Sequence, residues 1–384
     1  MLDAVRPLGL ENIAIGSALG RVLAEDVLAA GDVPPFASSA MDGYAVNAGP
    51  ALRSLAVVGE SRAGSPFQGA VSSGEAVRVS TGTAVPSGAD AVIRQEDVEA
   101  NGAAIETKVQ TAPGTNIRWP GEDLRAGETV LHAGTRLGTA ELGAAVSAGA
   151  GRLVVSLRPT VATLSTGDEL RDPGEPLAPG EIHNSNAPML VALATRAGAL
   201  TLAPEHLPDE HSQTRRGLER ALDSAELVVI SGGVSVGPHD HVRPALEALG
   251  VHERFWGVAL KPGKPTWFGE SDGKLVFGLP GNPVSAVVTF TLFVGPVLAA
   301  LQGAAPGGRR GHARLGTAVR RNPARQQAVR VRLEEHDSST IAVPNGPQDS
   351  HLVTSLLGAD ALAFIPAGDG ELAAGESVMV EHLA

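Results

Sequence analysis

The sequence predicts a multidomain protein of mixed α/β and β class. It should hold a central doubly wound α/β domain, an inserted β-rich domain, a helical connecting region and a C-terminal β-barrel-like domain. Three observations carry this. At 384 residues the chain is long for one domain. Between 151 and 302, short apolar runs alternate with helix-like stretches, the pattern of βαβ units in a parallel sheet. On either side lie turn-dense segments with short strand-like pieces, in a chain whose 47 Gly and 27 Pro show no period.

The elements follow in order. In 1–27 the run SALGRVLAEDV places Leu19, Val22 and Leu23 on one helical face, with Ser17 as a cap. The character changes at Gly31. Pro34-Pro35 forbids a helix, and LAVVGE, AVRVS, AVIRQEDV and AIETKV read as strands. Residues 28–117 therefore form the inserted β-rich domain. In 118–150 a turn precedes a helix capped by Thr139, and with 1–27 this makes the helical connecting region.

The α/β domain, 151–302, is built from VVSLRPTVATLSTGDEL, the helix APMLVALATRAGAL, the strand ELVVISGG, the helix HVRPALEALG, and KLVFGLPGNPVSAVVTFTLF. The last reads as a strand, a turn and a helix. Past Pro306-Gly307-Gly308, short strands (HARLGTAV, QAVRVRLEE, TIAVPN, ALAFIPAG, ESVMVEH) make 303–384 a compact β sheet or barrel.

Composition narrows the chemistry. Aromatics are 3% of residues, so Ala, Val and Leu must pack the cores. A net charge of −12 argues against nucleic acid or an anionic membrane over a broad face, while leaving room for a local cationic cleft. With no cysteine there is no thiolate, disulfide or cysteine nucleophile. The start of the chain lacks a signal-peptide pattern. Leu275 to Gly308 is uncharged, but Pro280, Asn282, Pro283 and Pro296 interrupt it. What remains, Val284 to Gly295, falls short of the roughly 20 residues of a span and predicts a buried core helix. A soluble, cytoplasmic protein is expected.

Three strand-end loops could carry chemistry. ELVVISGGVSVGPHDHV ends a strand in Gly232-Gly233, with Ser235, Gly237 and Asp240 beyond. Glycines there let backbone N–H groups approach a phosphate or other anion. The same residues also suit a plain tight turn. Thr166-Gly167-Asp168-Glu169 follows an earlier strand, and Pro280-Gly281-Asn282-Pro283-Val284-Ser285 a later one. In the last, Asn282 can cap and Pro283 take the first helical position, presenting N–H groups to an anion. Convergence of all three on one sheet edge would make a site.

Lys261-Pro262-Gly263-Lys264-Pro265 holds two cations on a stiff turn, suited to an oxyanion or to solvent. Carboxylates recur at loops: Asp42, Asp123, Asp168, Glu169, Asp209 and Asp240. Each could serve a turn, and beside phosphates such groups bind Mg²⁺. No P-loop, G-x-S-x-G elbow or paired C-x-x-C is present.

Taken together, PPFASSAMDGYAV, STGTAVPSGADAVIRQED, NIRWPGEDLRAG, VATLSTGDEL, IHNSN, VISGGVSVGPHD, KPGKP and GLPGNPVSA resemble the molybdopterin molybdenumtransferase family, which includes the C-terminal domain of gephyrin. The resemblance implies a molybdopterin-binding-like central domain and an elongated homodimer. It also implies the reaction: molybdate enters the dithiolene of adenylylated molybdopterin, AMP leaves, and molybdenum cofactor forms.

By the same resemblance the catalytic positions are Asp42, Thr81, Glu169, Asp240, Lys261 and Lys264. It gives Asp123, Asp209, Ser285, Arg325 and Ser350 to substrate binding, and the strand-end loops add Thr166, Asp168, Gly232, Gly233, Ser235 and Pro283. Asp240 and Glu169 are assigned to Mg²⁺, or to positioning pterin and water. Lys261 and Lys264 are assigned to molybdate or phosphate. The Gly232-Gly233 loop and the Pro283 helix start are assigned to the adenylate or pterin phosphate. The chain departs from the family pattern at FASS, at Ala324-Arg325 where Gly-Arg is usual, and at Asp349-Ser350-His351 where Gly-Ser-His is usual.

Two other functions fit parts of this pattern. A molybdopterin adenylyltransferase shares the α/β region but needs neither SAMDGYA nor the C-terminal β region. A non-catalytic molybdopterin-binding scaffold would need no intact carboxylates and lysines. Molybdopterin adenylyltransferase and molybdoenzyme-maturation proteins are the expected partners; nucleic acid and membrane are not.

Overall fold

The computed structural model describes residues 1–234, 241–336 and 339–383. Its centre is an α/β sheet built on β1 (Thr160–Thr166), β2 (Leu227–Ser231), β3 (Trp267–Ser271) and β4 (Lys274–Leu279). Strands β1, β2 and β4 run parallel, with Ser165 opposite Ser231 and Ser231 opposite Leu279, so their carboxyl ends lie level. β3 returns antiparallel on β4, and His252–Trp256 closes that edge.

Every residue of β2 is buried, as an uninterrupted apolar run in a doubly covered sheet requires. Alternate side chains feed two cores. Val161, Leu227, Val229, Leu275 and Phe277 pack on α1 (Asn186–Arg196) and on the helices after β4. Ala162, Leu164, Val228, Ile230 and Val276 pack on α2 (His211–Ser224) and α3 (Val242–Ala248). Each large aliphatic group buried this way contributes about 1.5–3 kcal/mol. The scarce aromatics gather here, with Phe268 and Phe277 centroids 4.7 Å apart.

After β4 the chain forms α4 (Pro283–Thr289), a π turn over Phe290–Val294, and α5 (Gly295–Leu301). The sequence places a break at Pro296, but the helix runs on through it. Proline removes one N–H and crowds the preceding turn, and the widened π turn just before it absorbs both effects. The continuous helix, 283–301, is long and apolar enough to cross a membrane by those criteria alone. Ala286, Phe290, Val294, Val297 and Leu298 are instead spent on the α/β core.

The C-terminal region closes into a barrel of five strands: β5 (Arg310–Leu315), β6 (Gln326–His336), β7 (Ser339–Pro344), β8 (Ala361–Ile365) and β9 (Ser377–His382). Pairing runs β6-β7-β5-β9-β8 and back to β6, which leaves no free edge among the five. Leu260 and Lys261 add to β6 beside Gln326 and Gln327. A shared core of Leu260, Val284, Val288, Ala328, Leu362 and Phe364 bolts the barrel to α4.

Residues 43–107 hold a six-stranded sheet in the order 91–94, 43–46, 75–79, 54–61, 104–107, 98–101. The chain enters and leaves this unit side by side, as Val27–Leu28 pairs with Thr129–Leu131 and Ser38–Ser39 with Ile117–Arg118.

The helical reading of 1–27 is wrong, and in 118–150 only Thr139–Ser147 is α-helical. Leu10–Ala14 is a strand on Arg152–Ser156, while Val22 and Leu23 bridge to Arg136 and Val155. Val22 and Leu23 are buried as expected, yet Leu19 is 63% exposed, and Ser17 ends a 3-10 turn rather than capping a helix. Long-range strand partners outweigh the weak local preference. Thr139 is not the cap of its helix either, since Gly138 holds that position and donates its N–H to Glu141 Oε2 at 2.9 Å.

Candidate active site

Level strand ends bring the three loops together. Gly232 N–H donates to Leu279 O at 3.1 Å, tying the second loop to the third. Gly232 and Gly233 both take positive φ, +87° and +62°. A Cβ on Gly233 would fall 2.6 Å from Val242 Cγ2 and 2.7 Å from Thr166 Oγ1, so no side chain fits. Asn186, at the start of α1, is the tie-bar: its Nδ2 donates to Ser231 Oγ at 2.6 Å and to Gly281 O at 2.7 Å.

A cavity of about 550 Å³ opens above these strand ends. Thr166, Ser231, Asn186 and Pro283 form its floor, and Glu169, His183 and His351 stand around it. The Glu169 carboxylate folds over Gly167, where a Cβ would lie 2.4 Å from Oε2. Among the described residues the cavity lining holds no Lys or Arg. Such a polar pocket, with the Glu169 carboxylate on its wall, suits a heteroaromatic ring with hydrogen-bonding edges.

A second cavity of about 390 Å³ adjoins the first through Asn282, which lines both. Its walls are Lys261, Lys264, Arg325, Ser285 and Ser350, with Asp349 as the single carboxylate among the described residues. Three cations against one anion give this wall a net positive charge, a chemistry suited to an oxyanion. Thr266 Oγ1 donates to Gly263 O at 2.7 Å, which stiffens the lysine turn. The barrel supplies the opposite wall from the same chain. Asn282 Nδ2 donates to Ser350 Oγ at 3.0 Å, and Val284 N–H donates to Ser350 O at 3.1 Å.

Those two bonds revise the expected helix start. Asn282 does not cap α4 with its side chain. Pro283 has no N–H to offer, and that of Val284 is already taken by Ser350. The free donors expected for an anion are thus reduced there, because the barrel loop occupies them.

Asp42, Thr81, Asp123, Asp168 and Asp209 line neither cavity. Asp42 Oδ1 accepts from Thr81 N–H at 2.7 Å and from Thr81 Oγ1 at 3.0 Å. The N–H first, the hydroxyl second, and Arg78 more weakly hold its carboxyl below the ordinary range. This pair stands at the edge of the 43–107 sheet and lines neither cavity, nor does Asp123, whose N–H donates to Val33 O. Asp168 Oδ1 accepts from Asp209 N–H at 3.0 Å, a turn contact beside the first loop. Ser235 and Asp240 lie outside the described residues.

Asn186 was missed as a site residue. Within IHNSN it reads as one more helix-start asparagine, and nothing local signals its reach to two other strand ends.

Comparison with known proteins places the chain in a lineage. Residues 1–149 match the MoeA N-terminal region (domain I and II), 162–300 a probable molybdopterin binding domain, and 312–383 the MoeA C-terminal region (domain IV). The chain is 36% identical to the molybdopterin molybdenumtransferase of Haemophilus influenzae over 98% of its own length and 94% of that protein. It is 36% identical to molybdopterin molybdenumtransferase 2 of Mycobacterium tuberculosis, covering 100% and 96%. The molybdopterin biosynthesis MoeA protein of Pyrococcus horikoshii superposes with a TM-score of 0.83 at 32% identity, over 99% of this chain and 97% of that one. Matched in all three regions and over nearly its full length, this chain belongs to the molybdopterin molybdenumtransferase family.

Proposed function

We propose that this protein inserts molybdate into the dithiolene of adenylylated molybdopterin, releasing AMP and forming molybdenum cofactor. The observation that carries this reading is the adjoining pair of cavities, one polar with a single carboxylate, Glu169, among its described residues, one cationic, with Asn282 in the wall of both. The first fits a pterin with its phosphate arm, the second a tetrahedral oxyanion. Full-length kinship to enzymes named for this transfer supports the reading over an adenylyltransferase or a scaffold.

The chemistry asks for positioning and charge compensation more than for covalent catalysis. Lys261, Lys264 and Arg325 hold the incoming oxyanion, and Ser285 and Ser350 donate to it. At an effective dielectric of about 20, a cation about 4 Å from an oxyanion gains roughly 4 kcal/mol, so three cations outweigh Asp349. Glu169 orients the pterin or a water at the strand ends, and Gly232-Gly233 admits the phosphate arm.

Mg²⁺ belongs to the proposal as well. Among the described residues no group of three or more His, Asp or Glu could cage a metal. Mg²⁺ keeps waters and shares substrate phosphates, so Glu169 with phosphate oxygens is a sufficient anchor. When bound it neutralises charge on the phosphoanhydride. The protein acts as a cytoplasmic homodimer, taking substrate from an adenylyltransferase and passing product to molybdoenzyme-maturation proteins. Neither nucleic acid nor membrane is a partner.

The test is AMP release from adenylylated molybdopterin with Mg²⁺, titrated with molybdate and with tungstate. Saturable dependence on the oxyanion is expected. AMP release that ignores the oxyanion, with no metal retained by the pterin, overturns the reading.

A further inference from the structure

Arg330 lies on β6, fully buried, between Val329 and Val331. Those valines point into the barrel core, while Ala328, two residues before Arg330, packs in the layer against α4. Residues two apart on a strand share a face, so Arg330 faces the same layer. Its cross-strand neighbour Leu362 belongs to that layer too.

A guanidinium is costly to bury without full pairing. Arg330 makes no ion pair with a carboxylate among the described residues, and its Nε and Nη1 have no hydrogen-bond partner there. Burial pushes its pKa down, and the charge of Asp349 opposes that. The contacts it does make are to one loop. Nη2 donates to Pro347 O at 2.9 Å and to Asp349 O at 3.4 Å. Gln348 clamps the same strand from the loop side, its Oε1 accepting from Arg330 N–H and its Nε2 donating to Arg330 O. One residue further on, Ser350 meets Asn282 and Val284. Gln348, Asp349 and Ser350 all line the cationic cavity.

We propose that Arg330 is a positioning residue for the oxyanion cavity, its buried fork fixing the Pro347–Asp349 backbone so that Ser350 faces the anion. This rests on the function proposed above. Arg330 does not touch the anion. It acts through the loop, and its charge offsets Asp349, the one acid in the cavity wall.

The test compares the wild-type protein with R330M and R330K by AMP release, titrating each substrate separately, and by direct molybdate binding in equilibrium dialysis. R330M is expected to raise the KM for molybdate on the order of tenfold to a hundredfold, as small misplacements of a binding wall do. The KM for adenylylated molybdopterin should rise several-fold less, since its cavity takes only His351 and Val353 from this loop and the rest of its lining from the strand-end loops. R330K, which keeps charge but loses the planar fork, should fall between. A folded R330M with a wild-type molybdate KM overturns the proposal, and so does an equal rise in both KM values. Should R330M fail to fold, R330K decides: an unchanged molybdate KM sinks the idea and a selective rise supports it. A wild-type protein that binds molybdate but never releases AMP would count against the proposed reaction. Weaker molybdate binding in R330M would still uphold Arg330 in that case.

Discussion

Lys261 and Asp42 illustrate how differently two exposed charged residues are placed. Lys261 stands in a wall with Lys264 and Arg325 and has no carboxylate partner among the described residues. A charged hydrogen bond to an oxyanion is worth about 1.5–3 kcal/mol, so Lys261→Ala should raise the KM for molybdate roughly tenfold to a hundredfold. Substrate titration checks it, and an unchanged KM removes Lys261 from the site. Asp42 is already satisfied by Thr81, whose N–H and hydroxyl hold its pKa low. A carboxylate with a depressed pKa stabilises the fold above its unfolded value, and that share is lost as pH falls through the lowered one. Thr81→Val removes the hydroxyl and keeps the N–H, so the Asp42 midpoint should rise yet stay below the ordinary carboxylate value. Carboxyl-carbon NMR titration reads this directly, and a midpoint that does not move refutes the assignment.

Among the elements, the lysine turn offers a sharp stability test. Gly263 has φ +120°, and a Cβ there would sit 2.5 Å from Thr289 Cγ2, a buried group of α4. Gly263→Ala should cost about 1–3 kcal/mol from strain and overpacking. Gly281→Ala is the control, since its Cβ would meet only Gly232 Cα, at 3.8 Å, an ordinary contact. Urea unfolding should separate the two, and equal midpoints would discard the argument. The legibility of the elements follows similar lines. ELVVIS and KLVFGL announced themselves as buried strands because doubly covered parallel strands are continuous apolar runs, and their glycine-rich ends marked the site. Leu19, Val22 and Leu23 misled because the i, i+3, i+4 spacing arose within a bridged loop whose partners lie over a hundred residues away. Arg330 was illegible for the opposite reason. In QAVRVRLEE an alternating strand should put arginine in solvent, and only the packing of the barrel against α4 buries it.

The whole molecule leaves one candidate group without a partner site. Asp42 and Thr81 line neither cavity, while Arg325 and Ser350 reach the lysines within one chain. If all of these serve one reaction, a second copy must carry the Asp42 wall to the first. In that case D42A and K261A, assayed at molybdate well below the raised KM where each alone is impaired, should complement when their subunits are mixed. Random pairing of a symmetric dimer gives about half heterodimers with one intact site each, hence about a quarter of wild-type activity. Activity no greater than that of the separate variants would place both functions in one chain or remove Asp42 from the reaction. The barrel wall needs no such help, because the shared core around Leu260, Val284 and Leu362 holds it.

The three tryptophans make this arrangement visible to light. Trp267 is fully enclosed and donates to Glu253 at 2.7 Å, while Trp119 is 51% exposed in the connecting segment, away from both cavities. Trp256 differs from both. Its Nε1 donates to Val234 O at 3.0 Å, just before the 235–240 stretch, and the Arg243 guanidinium lies 5.4 Å from the centre of its ring. An indole hydrogen-bonded at the base of the glycine loop and beside a cation has an emission colour and yield that follow small changes in both. With one tyrosine in the chain to contribute background, the protein carries a native fluorophore at the root of its glycine loop.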